Sequence, residues 1–203
     1  MAVRVKICGI TSVEDANAAI DAGADMIGLN FFPESPRYVE VERAVVIRTA
    51  VGSRAAVVGV FANAQRAWVE DRLRAVSLDM IQFSGDEDDA MLAAWSVRVI
   101  STHRTTSGEK LKTDAVRRAD YVLFDAFDPK LFGGTGSRIA LEQLRGLDLS
   151  RAFVAGGLTP ENVAEIAALE PYAVDCASGV ESSPGIKDHA KLRSFVANAK
   201  RSR

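Results

Sequence analysis

Two side chains able to exchange protons stand at the ends of apolar runs. The stretch Val3 to Thr11 is apolar at alternate positions and runs straight into Gly9, the pattern of a β-strand ending in a tight turn. Its last strand position is Cys8, one of two cysteines in 203 residues. A second apolar run, Asp120 to Asp125, ends on a carboxylate. A thiol and a carboxylate at strand ends are potential partners in general acid–base chemistry. The default reading of a cysteine is a small core residue. The strand-end position and the glycine after Cys8, which lets the backbone turn away, also place the thiol to face a ligand.

Three stretches rich in small residues follow later apolar runs. They are Gly133-Gly134-Thr135-Gly136, Ala155-Gly156-Gly157-Leu158 and Ala177-Ser178-Gly179-Val180. Glycine lets a backbone N–H approach an oxyanion closely, and a helix start directs its dipole to the same point. Three such loops on consecutive strands point to a phosphate. Ser178 to Ser182, ahead of Pro184-Gly185, reads as a short extra helix beside that phosphate.

The elements that must position these residues repeat along the chain. Strands are expected at Val3–Cys8, Ala24–Phe31, Ala55–Phe61, Leu78–Phe83, Val97–Thr102, Asp120–Asp125, Ala152–Ala155 and Tyr172–Cys176. Helices are expected after each: to about Ala22, Val41–Val51, Ala64–Val76, Asp86–Trp95, Glu109–Arg118, Arg138–Leu147, Pro160–Leu169 and Lys187–Lys200. The strands are mostly continuous apolar runs, as required when both faces are covered. An aspartate precedes the second, fourth and sixth strands, at Asp25, Asp79 and Asp120, an alternation that suits a closed barrel. An open doubly wound sheet would carry a G-x-G-x-x-G fingerprint after the first strand, where Cys8-Gly9-Ile10-Thr11-Ser12 stands instead. The expected fold is one domain over residues 1–203, an eight-stranded parallel β/α (TIM) barrel whose site lies on the loops after the strands.

Composition narrows the function classes. Charged residues make up 26% and the formal net charge is −2, with no basic stripe interleaved with aromatics, so nucleic acid is not an expected partner. No apolar run approaches the ~18 to 20 residues that span a bilayer, and the chain start reads as a strand rather than a signal peptide. Two distant cysteines are no disulfide framework, which fits a reducing cytoplasm. His103 and His189 read as loop and helix-surface side chains without metal-ligand spacing, so neither a metal nor another cofactor is expected. Cys176 reads as barrel packing, and Trp68 and Trp95 as packing between helices and barrel.

Read together, Lys6-Ile7-Cys8-Gly9-Ile10-Thr11, Ser35-Pro36-Arg37, Gln82 with Gly85-Asp86-Glu87, Leu123-Phe124-Asp125, Gly133-Gly134-Thr135-Gly136, Ala155-Gly156-Gly157-Leu158 with Pro160-Glu161-Asn162-Val163, and Val174-Asp175 with Ser178-Gly179-Val180-Glu181 resemble the motifs of the phosphoribosylanthranilate isomerases. The motifs occur in family order from Lys6 to about Lys200. The resemblance implies a cofactor-free Amadori rearrangement in tryptophan biosynthesis, acting on a phosphosugar, by a monomer or homodimer. It implies Cys8 as general base and Asp125 as general acid. Arg37 is expected on the anthranilate carboxylate, and Gln82, Gly134, Gly156, Gly157, Asp175, Ser178 and Gly179 are expected at the substrate. Two departures stand out. Ser84 replaces the family's usual histidine before Gly85-Asp86-Glu87, and Ser137-Arg138-Ile139 replaces an aromatic-Asp-Trp stretch after Gly136. The rival reading is a catalytically silent or differently specific phosphosugar-binding barrel; the presence of both Cys8 and Asp125 stands against it.

Overall fold

The structure, a computed structural model, describes residues 3–105, 119–126 and 141–201. Strands β1 (Arg4–Cys8), β2 (Met26–Asn30), β3 (Ala56–Phe61), β4 (Met80–Phe83), β5 (Arg98–Thr105), β6 (Tyr121–Ala126), β7 (Ala152–Val154) and β8 (Ala173–Cys176) form a closed barrel in chain order. Neighbouring strands pair parallel throughout, and β8 closes onto β1 with Lys6 opposite Asp175. Helices α1 (Val13–Asp21), α2 (Val41–Val51), α3 (Arg66–Val76), α4 (Asp89–Leu92), α5 (Leu141–Leu144), α6 (Val163–Ala167) and α7 (His189–Arg201) connect the strands or close the chain. The expected β/α barrel is the observed fold.

Alternation along each strand divides the apolar residues between two layers. Met26, Val58, Met80, Ile100, Tyr121, Leu123, Phe153 and Ala173 fill the barrel interior. Ile7, Ile27, Val57, Ile81, Phe83, Phe124 and Val154 point outward into the layer beneath the helices. Trp68 stands edge-on to Phe61, and Trp95 packs on Phe83, both in that outer layer as expected.

The alternating aspartates have a structural reason. Asp25, Asp79 and Asp120 each accept the backbone N–H at the start of the preceding strand, from Val5, Val57 and Val99, at 2.8 Å. Each aspartate also donates its own N–H to the carbonyl of that same residue, at 2.9 to 3.0 Å. Three identical clamps thus tie odd strands to even ones at the barrel end where the strands begin. Tyr172 holds the equivalent place before β8, its ring packed 4.3 Å from Tyr121 and 5.2 Å from Phe153.

Some boundaries differ from expectation. Helix α4 is one turn rather than Asp86–Trp95, because Glu87 is taken up in loop closure, accepting from Asn63 N and Gly85 N. Strand β5 continues to Thr105, paired with β6 to its end, so His103 lies in a strand and its ring meets Phe124 edge-on. A two-stranded hairpin, β9 (Glu181–Ser183) and β10 (Ile186–Lys187), occupies a place where neither strand nor turn pairing was expected. It pushes the start of α7 to His189 rather than Lys187. The expected helix at Glu109–Arg118, the loop at Gly133–Gly136 and residues 138–140 of the helix at Arg138–Leu147 lie outside the described residues. Leu141–Leu144 is helical as expected. Among the described residues, no helix is long and apolar enough to cross a membrane.

Candidate active site

Cys8 ends β1 and Asp125 lies near the end of β6, so the parallel barrel puts both on the same rim. They line one cavity of about 640 Å³, within the usual range for a small-molecule site. Arg37, Gln82, Asp175, Gly156, Gly157, Ser178 and Gly179 line the same cavity. Gly134 lies outside the described residues. Two other depressions, of about 520 and 470 Å³, lie between α3 and the β5 edge and at the opposite barrel mouth, away from both Cys8 and Asp125.

Burial drives both titratable groups upward. The Asp125 carboxyl is raised to about 6, first by burial and then by the charge of Asp175, against the opposing charges of Arg104 and Lys6. The Cys8 thiol is also raised, by burial and by Asp175, while Lys6 and Lys187 pull it down. Cys176 is buried, donates to the Leu158 carbonyl at 3.2 Å, and is pushed up to about 12, mainly by burial. It is packing, as its sequence position suggested.

Arg37 is held in place from two sides. In the loop after β2, Asn30 accepts from Phe32 N at 2.8 Å and donates to the Ser35 hydroxyl, which accepts from Arg37 N at 3.1 Å. The guanidinium then donates through Nε and Nη2 to the two oxygens of Glu181, at 2.8 and 2.7 Å. One edge of the fork is therefore occupied within the protein. Among the described residues, the Nη1–Nη2 edge keeps two N–H groups for a carboxylate. Burial works to raise the Glu181 carboxyl, but the hydrogen bond from Arg37 and the charge of Lys187 outweigh it and hold the group below its ordinary value.

Lys187 extends this network. It is buried, and its ammonium donates to Glu181 at 2.9 Å, to the Cys8 carbonyl at 2.7 Å and to the Ala177 carbonyl at 3.2 Å. One cation thus ties the hairpin to the ends of β1 and β8. Thr11 adds a bond from its hydroxyl to the Gly185 carbonyl at 2.6 Å. Lys187 was not recognised from sequence, since nothing in its spacing links it to a strand end 179 residues away.

On the opposite wall, Gln82 Nε2 donates to the Ser84 hydroxyl at 3.0 Å, and Ser84 shares a hydrogen bond with Thr102 at 2.9 Å. Ser84 thus completes a polar chain where the family's usual histidine is missing. The Oε1 atom of Gln82 is buried without a hydrogen-bond partner among the described residues. On the side of β7 and β8, Gly156 and Gly157 adopt φ of +83° and +60°, a left-handed pair that only glycine takes readily. Asn162 locks that turn, donating to the Gly157 carbonyl at 2.9 Å and accepting from Thr159 N at 2.8 Å. The expected short helix is a single 3-10 turn, Ser178–Val180, which then leads into β9. Among the described residues, no group of three His, Cys, Asp or Glu side chains is placed to hold a metal ion.

Comparison with known proteins extends this picture. The family described as N-(5'phosphoribosyl)anthranilate (PRA) isomerase matches residues 5–198. The N-(5'-phosphoribosyl)anthranilate isomerase of Pseudomonas fluorescens is 47% identical over 199 residues, covering 96% of this chain and 97% of that protein. The crystal structure of phosphoribosyl anthranilate isomerase from Thermus thermophilus matches with a TM-score of 0.88 at 33% identity, covering 99% of this chain and 100% of that one. A phosphoribosyl anthranilate isomerase crystallised in complex with reduced 1-(o-carboxyphenylamino)-1-deoxyribulose 5-phosphate matches with a TM-score of 0.79 at 34% identity, covering 98% of each chain. The agreement runs from β1 into α7, and the chain belongs to the N-(5'-phosphoribosyl)anthranilate isomerase family.

Proposed function

We propose that this chain converts N-(5-phosphoribosyl)anthranilate to 1-(2-carboxyphenylamino)-1-deoxyribulose 5-phosphate by an Amadori rearrangement, a step of tryptophan biosynthesis. Asp125 is the general acid. It protonates the furanose ring oxygen, the C1–O bond breaks, and the nitrogen lone pair forms a C1=N iminium. Cys8, as thiolate, is the general base. It takes the proton from C2, the C–H electron pair forms C1=C2, and the iminium electrons return to nitrogen. The resulting enolamine tautomerises to the ketone, with proton loss from the C2 hydroxyl and proton gain at C1. Nothing is oxidised or reduced overall, so the chemistry calls for no cofactor.

The observation that carries this reading is a carboxyl raised to about 6 sharing one cavity with a strand-end thiol, in a chain of this family. A raised carboxyl keeps a protonated fraction near neutrality. The acidified C2–H is within the range of a thiolate base. The glycine turns after β7 and β8 hold the 5′-phosphate through backbone N–H groups, and the open edge of Arg37 takes the anthranilate carboxylate.

Turnover of N-(5-phosphoribosyl)anthranilate by the purified chain in excess chelator tests the reading. Turnover unaffected by chelator supports it. Absence of turnover favours the silent-barrel alternative, and a rate restored by a divalent ion contradicts the cofactor-free mechanism.

A further inference from the structure

Lys6 is a fully buried lysine in the barrel interior, 0% exposed, and the acid–base steps above give it no task. Its Nζ donates to both oxygens of Asp175 at 3.0 Å. It stands two residues before Cys8, on the same face of β1, and its positive charge acts on the thiol. Gly28 of β2 pairs with Cys8, and a Cβ there would fall 2.9 Å from Sγ and 3.3 Å from Lys6 Nζ. The missing side chain leaves sulfur and ammonium facing one another. As a device for stability alone the ion pair is a poor choice, because desolvation takes several kcal/mol per buried ion and apolar replacements of such pairs are often neutral or better.

We propose that Lys6 and Asp175 are positioning residues for Cys8: the ammonium stabilises the thiolate, and the carboxylate holds the ammonium in place beneath the sulfur. The inference rests on Cys8 being the base of the proposed reaction. Charges from several elements meet at this point. Lys6 and Asp175 face the sulfur from inside the barrel, Lys187 from the hairpin and Arg37 from the loop after β2, with the Cys176 thiol on β8 nearby. Asp125 across the cavity feels Asp175, Arg104 and Lys6. Burial pulls the Lys6 ammonium down, yet Asp175 and Cys8 raise it above its ordinary value, so it stays a cation throughout the working pH range. Lys6 pulls the thiol down more strongly than Asp175 pushes it up.

The test is the pH midpoint of Cys8 alkylation by iodoacetamide, followed by mass spectrometry, with buried Cys176 as internal reference. Lys6→Met is expected to raise the midpoint by about one unit or more, the size of effect of an opposite charge at this range. It is also expected to lower kcat at least ~10-fold at neutral pH with little change in KM. Lys6→Met strands the Asp175 charge, so Lys6→Met/Asp175→Asn is the companion variant; it buries no unpaired charge, and its midpoint is expected to rise by less. A folded variant of either kind with the wild-type midpoint overturns the proposal, whatever its activity. The alkylation needs no substrate. Failure of wild-type turnover with a shifted midpoint therefore counts against the isomerase reading, and an unmoved midpoint with turnover intact counts against the pair.

Discussion

Asp125 and Cys8 are pushed in the same direction by burial, and this sets their proton balance. In the proposed mechanism Asp125 must be protonated and Cys8 ionised, yet Asp125 is raised to about 6 and burial pushes the Cys8 thiol above its ordinary value. Between those values most molecules hold an ionised Asp125 and a neutral Cys8, so the active form is a minor species of constant fraction. Below about 6 both groups are protonated and the thiolate is lost as pH falls. Above the thiol value both are ionised and the acid is lost as pH rises. The kcat/KM profile is therefore expected to be a bell with its acidic limb near 6. Because a phosphate monoester also ionises in that region, carbon-13 NMR titration of Asp125 in the free protein checks the assignment. A midpoint close to an ordinary aspartate, about 4, would contradict it. Arg37→Lys belongs to the same scale. An ammonium cannot serve Glu181 and a substrate carboxylate with parallel pairs of hydrogen bonds, so kcat/KM is expected to fall about 10-fold or more. Wild-type kinetics would remove Arg37 from the binding site.

At the scale of elements, the hairpin β9–β10 is the part of the site that sequence reading missed. Its strands are three and two residues long, too short for alternation to register. The turn between them is made at Pro184-Gly185, with Gly185 at φ +81°. The eight barrel strands were legible because burial on both faces leaves continuous apolar runs, and Cys8 and Asp125 were legible because those runs stop on them. Contacts between distant segments, Lys187 to Cys8 and Glu181 to Arg37, leave no local pattern and appear only once the barrel closes. Glu181→Ala is expected to free the Arg37 side chain and raise KM about 10-fold with a smaller change in kcat. Steady-state kinetics decide it, and an unchanged KM would mean that the loop after β2 orders Arg37 alone. The aspartate clamps at the other barrel end serve the fold rather than the site. Asp79→Ala removes one charge-assisted bond to Val57 N and is expected to destabilise by about 1–3 kcal/mol, lowering Tm with kcat/KM unchanged at 25 °C. Lost activity in a folded Asp79→Ala protein would show that the two ends are coupled.

The whole molecule divides its two tasks between the two ends of one barrel. The clamps and the Tyr121–Tyr172–Phe153 packing close one end, and the thiol, carboxyl and glycine turns share the other. In this chain Cys8 and Asp125 belong to the same cavity of the same chain. Specific activity is therefore expected to stay constant across protein concentrations that change the assembly state, read by light scattering and initial rates together. A rate that falls on dilution to monomer would place part of the site on a second chain.

In the proposed reaction, a thiol at the end of β1 and a carboxyl on β6 divide one isomerisation between them. The direct measurement is kcat of Cys8→Ala with N-(5-phosphoribosyl)anthranilate, alongside the affinity of the variant for a product analogue. The expected result is a loss of at least ~100-fold in kcat with affinity nearly intact, since in the proposed site the glycine turns and Arg37 hold the ligand. A Cys8→Ala protein that keeps most of the wild-type kcat would mean that the thiol only packs against the substrate, and would contradict the account.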